Sequence, residues 1–93
     1  MFKTNEYFDG KVKSLAFENK TGKQTVGVMA AGEYEFGTST VEIMTVISGI
    51  LTIQLPGESE WKSYIPGDSF EVDKNKKFKV KTEESSSYLC IYK

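Results

Sequence analysis

Three glutamates within one short stretch are the residues best suited to chemistry in this chain. Glu33, Glu35 and Glu42 lie in GVMAAGEYEFGTSTVEIMTVISG, from Gly27 to Gly49, where strand alternation could aim them at one interior. The remaining repertoire is narrow, because the sequence contains no His and no Arg, and all 12 of its basic residues are lysines. General acid and base work therefore falls to carboxylates, Tyr or Lys, and Ser/His/Asp or Cys/His nucleophile systems are excluded. Zinc and non-haem iron centres normally need His or several Cys, which leaves only a hard cation held by the three glutamates as a metal alternative.

The elements that must position these groups are short strands. Turn signals recur at Asp9-Gly10, Ala31-Gly32, Ser48-Gly49, Pro56-Gly57 and Pro66-Gly67-Asp68. Between them lie β-branched and aromatic runs too short for helices: Thr25 to Met29, Ile43 to Ile47, Ile50 to Leu55, Phe78 to Val80 and Tyr88 to Tyr92. This predicts an all-β sandwich or jelly-roll barrel. With 93 residues and 39% hydrophobic content, the chain builds one core, and residues 1–93 read as a single domain.

Composition narrows the partners. A formal net charge of −1 supplies no broad attraction for nucleic-acid backbones. The lysines at 74, 76, 77, 79 and 81 form one run, but Lys77, Lys79 and Lys81 alternate with Phe78 and Val80 and so read as the solvent face of a strand. Thr21-Gly22-Lys23 is a hairpin turn rather than a P-loop, since Phe17 replaces the first Gly and Gln24 the Ser/Thr. No apolar segment approaches the roughly 20 residues needed to span a bilayer. The single cysteine, Cys90, sits in an apolar run and reads as a buried thiol in a reducing, cytoplasmic setting.

The spacing Gly27, five residues, Glu33, one residue, Glu35, then Glu42, six residues, Gly49 resembles the first signature motif of the cupin superfamily, with glutamates where metal-binding histidines usually stand. A second motif can be traced from Pro66-Gly67-Asp68, with Phe78 at its usual histidine. The runs NEYFDGKVKS, TVGVM, GEYEF, EIMTVISG, FEV and SYLCIY, spanning Asn5 to Tyr92, are together similar to the pyrimidine/purine nucleoside phosphorylase family of small cupins. The chain departs from that pattern at Asp73, where Pro is expected, and at Lys23 and Ile91, where relatives can carry Arg. The resemblance implies a cupin-type jelly-roll barrel that cleaves purine and pyrimidine nucleosides with inorganic phosphate, giving free base and pentose 1-phosphate. It implies no metal or organic cofactor, and a homodimer.

Such a reaction passes through a cation-like sugar and needs negative charge near C1′, recognition of hydroxyls and a seat for phosphate. A cupin-like barrel would turn residues 33, 35 and 42 to the cavity, making Glu33 and Glu42 the catalytic candidates and Glu35 a weaker one. Broad base tolerance calls for stacking, for which Tyr34, Phe36, Tyr88 and Tyr92 are the candidates, with Met44 sharing the face of Glu42. Among lysines outside the solvent-facing run, Lys11, Lys13 and Lys23 could meet phosphate, and Lys23 ranks first. The rival readings are a non-catalytic barrel that holds a sugar or nucleoside, and a metal-dependent cupin enzyme.

Overall fold

A computed structural model describes residues 2–93. The short runs form ten strands: β1 Lys3–Tyr7, β2 Val12–Asn19, β3 Gly22–Met29, β4 Gly32–Gly37, β5 Glu42–Ser48, β6 Leu51–Gln54, β7 Lys62–Tyr64, β8 Ser69–Val72, β9 Lys77–Thr82 and β10 Ser86–Tyr92. Among the described residues there is no helix, so none is long and apolar enough to cross a membrane. Every strand pair is antiparallel, in a six-stranded sheet ordered β1-β2-β3-β10-β5-β8 and a four-stranded sheet ordered β4-β9-β6-β7. From β3 onward the chain passes repeatedly from one sheet to the other, which is the jelly-roll arrangement the strand pattern predicts.

The two sheets face each other across a core of Val12, Met29, Tyr34, Met44, Val46, Leu51, Ile53, Phe70, Val72, Phe78, Val80, Tyr88 and Cys90. Within it runs a chain of aromatic rings: Tyr64 to Phe70 at 4.8 Å, Phe70 to Phe78 at 6.2 Å, Phe78 to Phe36 at 5.8 Å and Phe36 to Tyr34 at 6.3 Å between centroids. Phe8 extends it outward, 5.0 Å from Tyr34 and 5.6 Å from Phe36. These separations are those of favourable tilted and edge-on pairs. The aromatic content thus lines a path from the interior to the β1–β2 hairpin.

Two glycines set the geometry around this core. Gly49, between β5 and β6, has φ +85°, a conformation that L side chains rarely adopt, and Ser86 occupies the space a side chain would need. Gly27 sits opposite Tyr88 in the β3–β10 pairing, and a methyl group there would land within the Tyr88 ring. The missing side chain on β3 is therefore what admits that ring to the interior.

Candidate active site

The inward face of the six-stranded sheet delivers one side chain after another to a common cavity. Pairing sets Glu42 opposite Tyr92, Met44 opposite Cys90, Cys90 opposite Thr25 and Tyr88 opposite Gly27, with Ser14 beyond Gly27. Strand period two puts Tyr88, Cys90 and Tyr92 on one side of β10, as their spacing requires. The cavity has a volume of about 320 Å³, within the range of small-molecule sites, and is closed on the opposite side by Phe36 and Phe78. Tyr7 and Phe8 stand at its mouth, with Glu35 at the rim.

Burial governs the electrostatics of this space. It raises the Glu42 carboxyl above its ordinary value of 4.5, an effect partly offset by the Cys90 S–H, which donates to Glu42 Oε1 at 3.4 Å. The same desolvation pushes the Tyr88 hydroxyl up to about 12, reinforced by Cys90, Tyr7 and Glu42. Cys90 is raised by burial and then by the Glu42 charge, and Tyr92 by burial, although the Thr25 hydroxyl 3.0 Å from the Tyr92 hydroxyl opposes this. Burial thereby favours the neutral, hydrogen-bond-donating form of Tyr88, Cys90 and Tyr92, and it weakens the acidity of Glu42 in the same direction. A half-buried carboxylate among hydroxyls, in an apolar wall, suits stabilisation of developing positive charge.

The structure sets Glu33 apart from the other two carboxylates that the sequence suggested would converge, for Glu42 lines the cavity and Glu35 stands at its exposed rim. Glu33 is exposed on the outer face of the four-stranded sheet, paired in register with Lys81, and lines an outer groove with Thr52, Ser63 and Lys81. Strand β4 turns Tyr34 and Phe36 inward instead of its glutamates, because burying two rings is favourable whereas desolvating two carboxylates without partners is costly. The expected convergence of residues 33, 35 and 42 is therefore corrected for Glu33, and among the described residues no three His, Cys, Asp or Glu side chains gather as a metal-ligand group.

Two other expectations also change. Tyr34 is buried beneath Phe8 and its hydroxyl donates to the Ala30 carbonyl at 2.6 Å, so it braces the mouth without lining the cavity. Lys23 sits at the far end of the β2–β3 hairpin, paired with Glu18 and exposed, and does not reach the cavity. Of the candidate residues, Glu42, Met44, Tyr88, Tyr92 and Phe36 come together there, with Glu35 at the rim. The sequence reasoning missed Tyr7, Phe8, Ser14 and the thiol of Cys90 as members of this group, and Thr25 as the hydroxyl beside Tyr92. Phe8 carried a signal: a phenylalanine beside Asp9-Gly10 occupies a turn position that small polar residues usually fill.

Comparison with known proteins agrees with this architecture. The sequence pattern of the family described as "Pyrimidine/purine nucleoside phosphorylase" matches residues 2–92. A protein of Pseudomonas aeruginosa bearing the same name is 57% identical over 93 residues, covering 100% of both chains. A crystal structure of a protein of unknown function from Vibrio parahaemolyticus superposes with a TM-score of 0.93 at 43% identity, over 97% of this chain and 96% of that one. An RmlC-like cupin from Shewanella frigidimarina matches with a TM-score of 0.75 at 15% identity, over 97% and 81% of the two chains, which identifies the fold as a cupin.

Proposed function

Because the chain belongs to the pyrimidine/purine nucleoside phosphorylase family, we propose that its cavity performs phosphorolysis of nucleosides without a metal. In this reaction the C1′–N bond breaks with its electrons leaving on the base, a phosphate oxygen bonds to C1′, and the base takes a proton from phosphate or water. The observation that carries the reading is Glu42, the carboxylate facing the inner wall of hydroxyls. Its charge stabilises the cation-like sugar, while Tyr88, Tyr92 and Ser14 offer neutral donors to sugar and phosphate oxygens in place of the arginine that the chain lacks. The exposed Glu33 and Lys23 have no part in this scheme.

Free base and pentose 1-phosphate should appear in equal amounts when chelator-treated protein meets inosine or uridine with inorganic phosphate. Neither should form without phosphate. Base release independent of phosphate would make the protein a hydrolase, and loss of activity on chelation that Mn²⁺ or Mg²⁺ restores would defeat the metal-free scheme.

The same proposal includes a homodimer in a reducing cytoplasm, the latter supported by the unpaired Cys90. The dimer is supported by the outer face of the six-stranded sheet. Leu15, Val26 and Leu89 form one cross-strand row there, and Gln24, Ile91 and Ile43 form the next. Leu15 is 49% exposed, Val26 38% and Val28 54%, although the outer face of a solvated antiparallel sheet is ordinarily polar. A second copy of this chain would cover that stripe. Light scattering should give about twice 10.5 kDa for the unmodified protein, and Val26→Lys, at the middle of the stripe, should halve it; an unmodified protein that runs as a monomer at micromolar concentration would remove the dimer.

A further inference from the structure

We infer that the nucleoside enters this cavity sugar first and that its base rests at the mouth on Phe8 and Tyr7. The inference rests on the phosphorylase reading above and adds to it an orientation and a specificity device.

The first support is the division of chemistry along the cavity. The groups able to grip a sugar or phosphate lie toward the inside: Glu42, Ser14 and the hydroxyls of Tyr88 and Tyr92, around the buried Met44 and Cys90. The mouth is aromatic, with Glu35 at its exposed rim as the one charged side chain there among the described residues. Phe8 is 43% exposed and Tyr7 46%, so two large rings are left partly in water beside a concave site, where a planar base could cover them. Stacking of a base on such rings does not depend on which base it is, because every base has a π face.

The second support is the backbone of the hairpin. Phe8 has φ +53° and Asp9 φ +56°, in the left-handed region that bulky residues rarely occupy. A glycine or asparagine at residue 8 would relieve this conformation, yet the chain carries phenylalanine. The ring is held in place by Tyr34 and Phe36, and its carbonyl by the Lys11 N–H at 3.1 Å. Residues kept in unfavourable conformations by their surroundings concentrate at ligand clamps and active sites.

The third support is what this orientation does to selectivity. With the sugar inside, the hydrogen-bonding edges of the base stay in water and go unread, so purines and pyrimidines are accepted alike. Tyr88 and Tyr92, whose spacing first suggested a wall for the base, then serve the sugar and phosphate.

The test uses Phe8→Asn, since asparagine tolerates the left-handed conformation and keeps the turn while removing the ring. Circular dichroism and the melting temperature establish that the variant is folded. Its KM for both inosine and uridine should rise roughly 10- to 100-fold by similar factors, with kcat within a few-fold of the unmodified enzyme. Calorimetric titration should show inosine binding weakened in the variant and ribose binding unchanged. Independently of any variant, the unmodified enzyme should turn over 1,N6-ethenoadenosine, whose base bears an extra ring, within about tenfold of adenosine, and should reject 2′-O-methyladenosine; the tenfold margin allows for a modest contact change at the rim. An unaltered KM in Phe8→Asn, or rejection of the enlarged base, would overturn the sugar-first orientation. If the unmodified protein turned over no nucleoside at all, the phosphorylase reading would fall, and the titrations of inosine and ribose would still decide the role of Phe8.

Discussion

Glu42→Gln lowers kcat/KM for inosine and uridine by roughly 100- to 1,000-fold, the scale set by removing one preorganised electrostatic contact from a transition state. Glutamine keeps the size of the side chain and an oxygen able to accept from the Cys90 S–H, so the loss isolates the charge. Steady-state kinetics with both nucleosides measures it, and a variant with unimpaired turnover would take Glu42 out of the mechanism. The pH profile supplies a second readout. Because burial raises the Glu42 carboxyl, the acid limb of kcat/KM falls above pH 4.5, and the residual activity of Glu42→Gln lacks that limb.

The same substitution has a stability consequence of definite sign. The folded state holds the Glu42 proton more tightly than the unfolded chain, whose value is 4.5. That contribution is fully present below pH 4.5 and is lost as the pH rises through the folded pKa. Wild-type protein therefore loses stability across this window relative to Glu42→Gln, which cannot ionise. At pH 7 the variant melts higher, and the gap narrows as the pH is lowered. A variant that melts lower at pH 7 would show that the carboxylate is not penalised by its surroundings.

Gly27→Ala removes both stability and activity through one contact. The added methyl group meets the ring of Tyr88, a buried side chain that pairs with Gly27 on one side and Val46 on the other. Overpacking of this kind costs roughly 1–3 kcal/mol, and each kcal/mol lowers the melting temperature of a domain this size by about 4–8 °C. The ring's remaining escape is into the cavity, where it displaces the sugar, so KM rises together with the loss of stability. Combining Gly27→Ala with Tyr88→Leu recovers most of the melting temperature and none of the activity. Additive losses in that double-mutant cycle would mean that the glycine serves some purpose other than admitting the ring.

Much of the interior was legible because its signal is local. The alternation of Tyr88, Cys90 and Tyr92, and of Glu42 and Met44, fixed their common faces, and the glycine and proline turns punctuated the chain where strands end. Strand β4 shows where the pattern divided. In Glu33-Tyr34-Glu35-Phe36 either pair could face inward, and motif spacing favoured the glutamates whereas desolvation favoured the rings. Turning Glu33 and Glu35 inward would have buried two charges without partners, a cost that the two rings do not carry. Strand β1 escaped notice for a different reason: Lys3–Tyr7 is an edge strand whose side chains are almost all exposed, so no hydrophobic period marks it. The unusual turn position of Phe8 was legible, but its place at the mouth was not, because the β1–β2 turn and β4 are remote in sequence and meet through ring packing.

Strand β10 is hydrogen-bonded to β3 on one side and β5 on the other, and among the described residues it is the only strand that joins the β1-β2-β3 and β5-β8 halves of the larger sheet. Detachment of this one strand would uncover two further edges at once, one on β3 and one on β5, each a template for pairing with another chain. The residues that shape the cavity thus also guard against aggregation. Substitutions on Tyr88, Cys90 or Tyr92 that loosen the strand will be selected against for insolubility as well as for lost turnover, which couples the evolution of the site to that of the protein's colloidal behaviour.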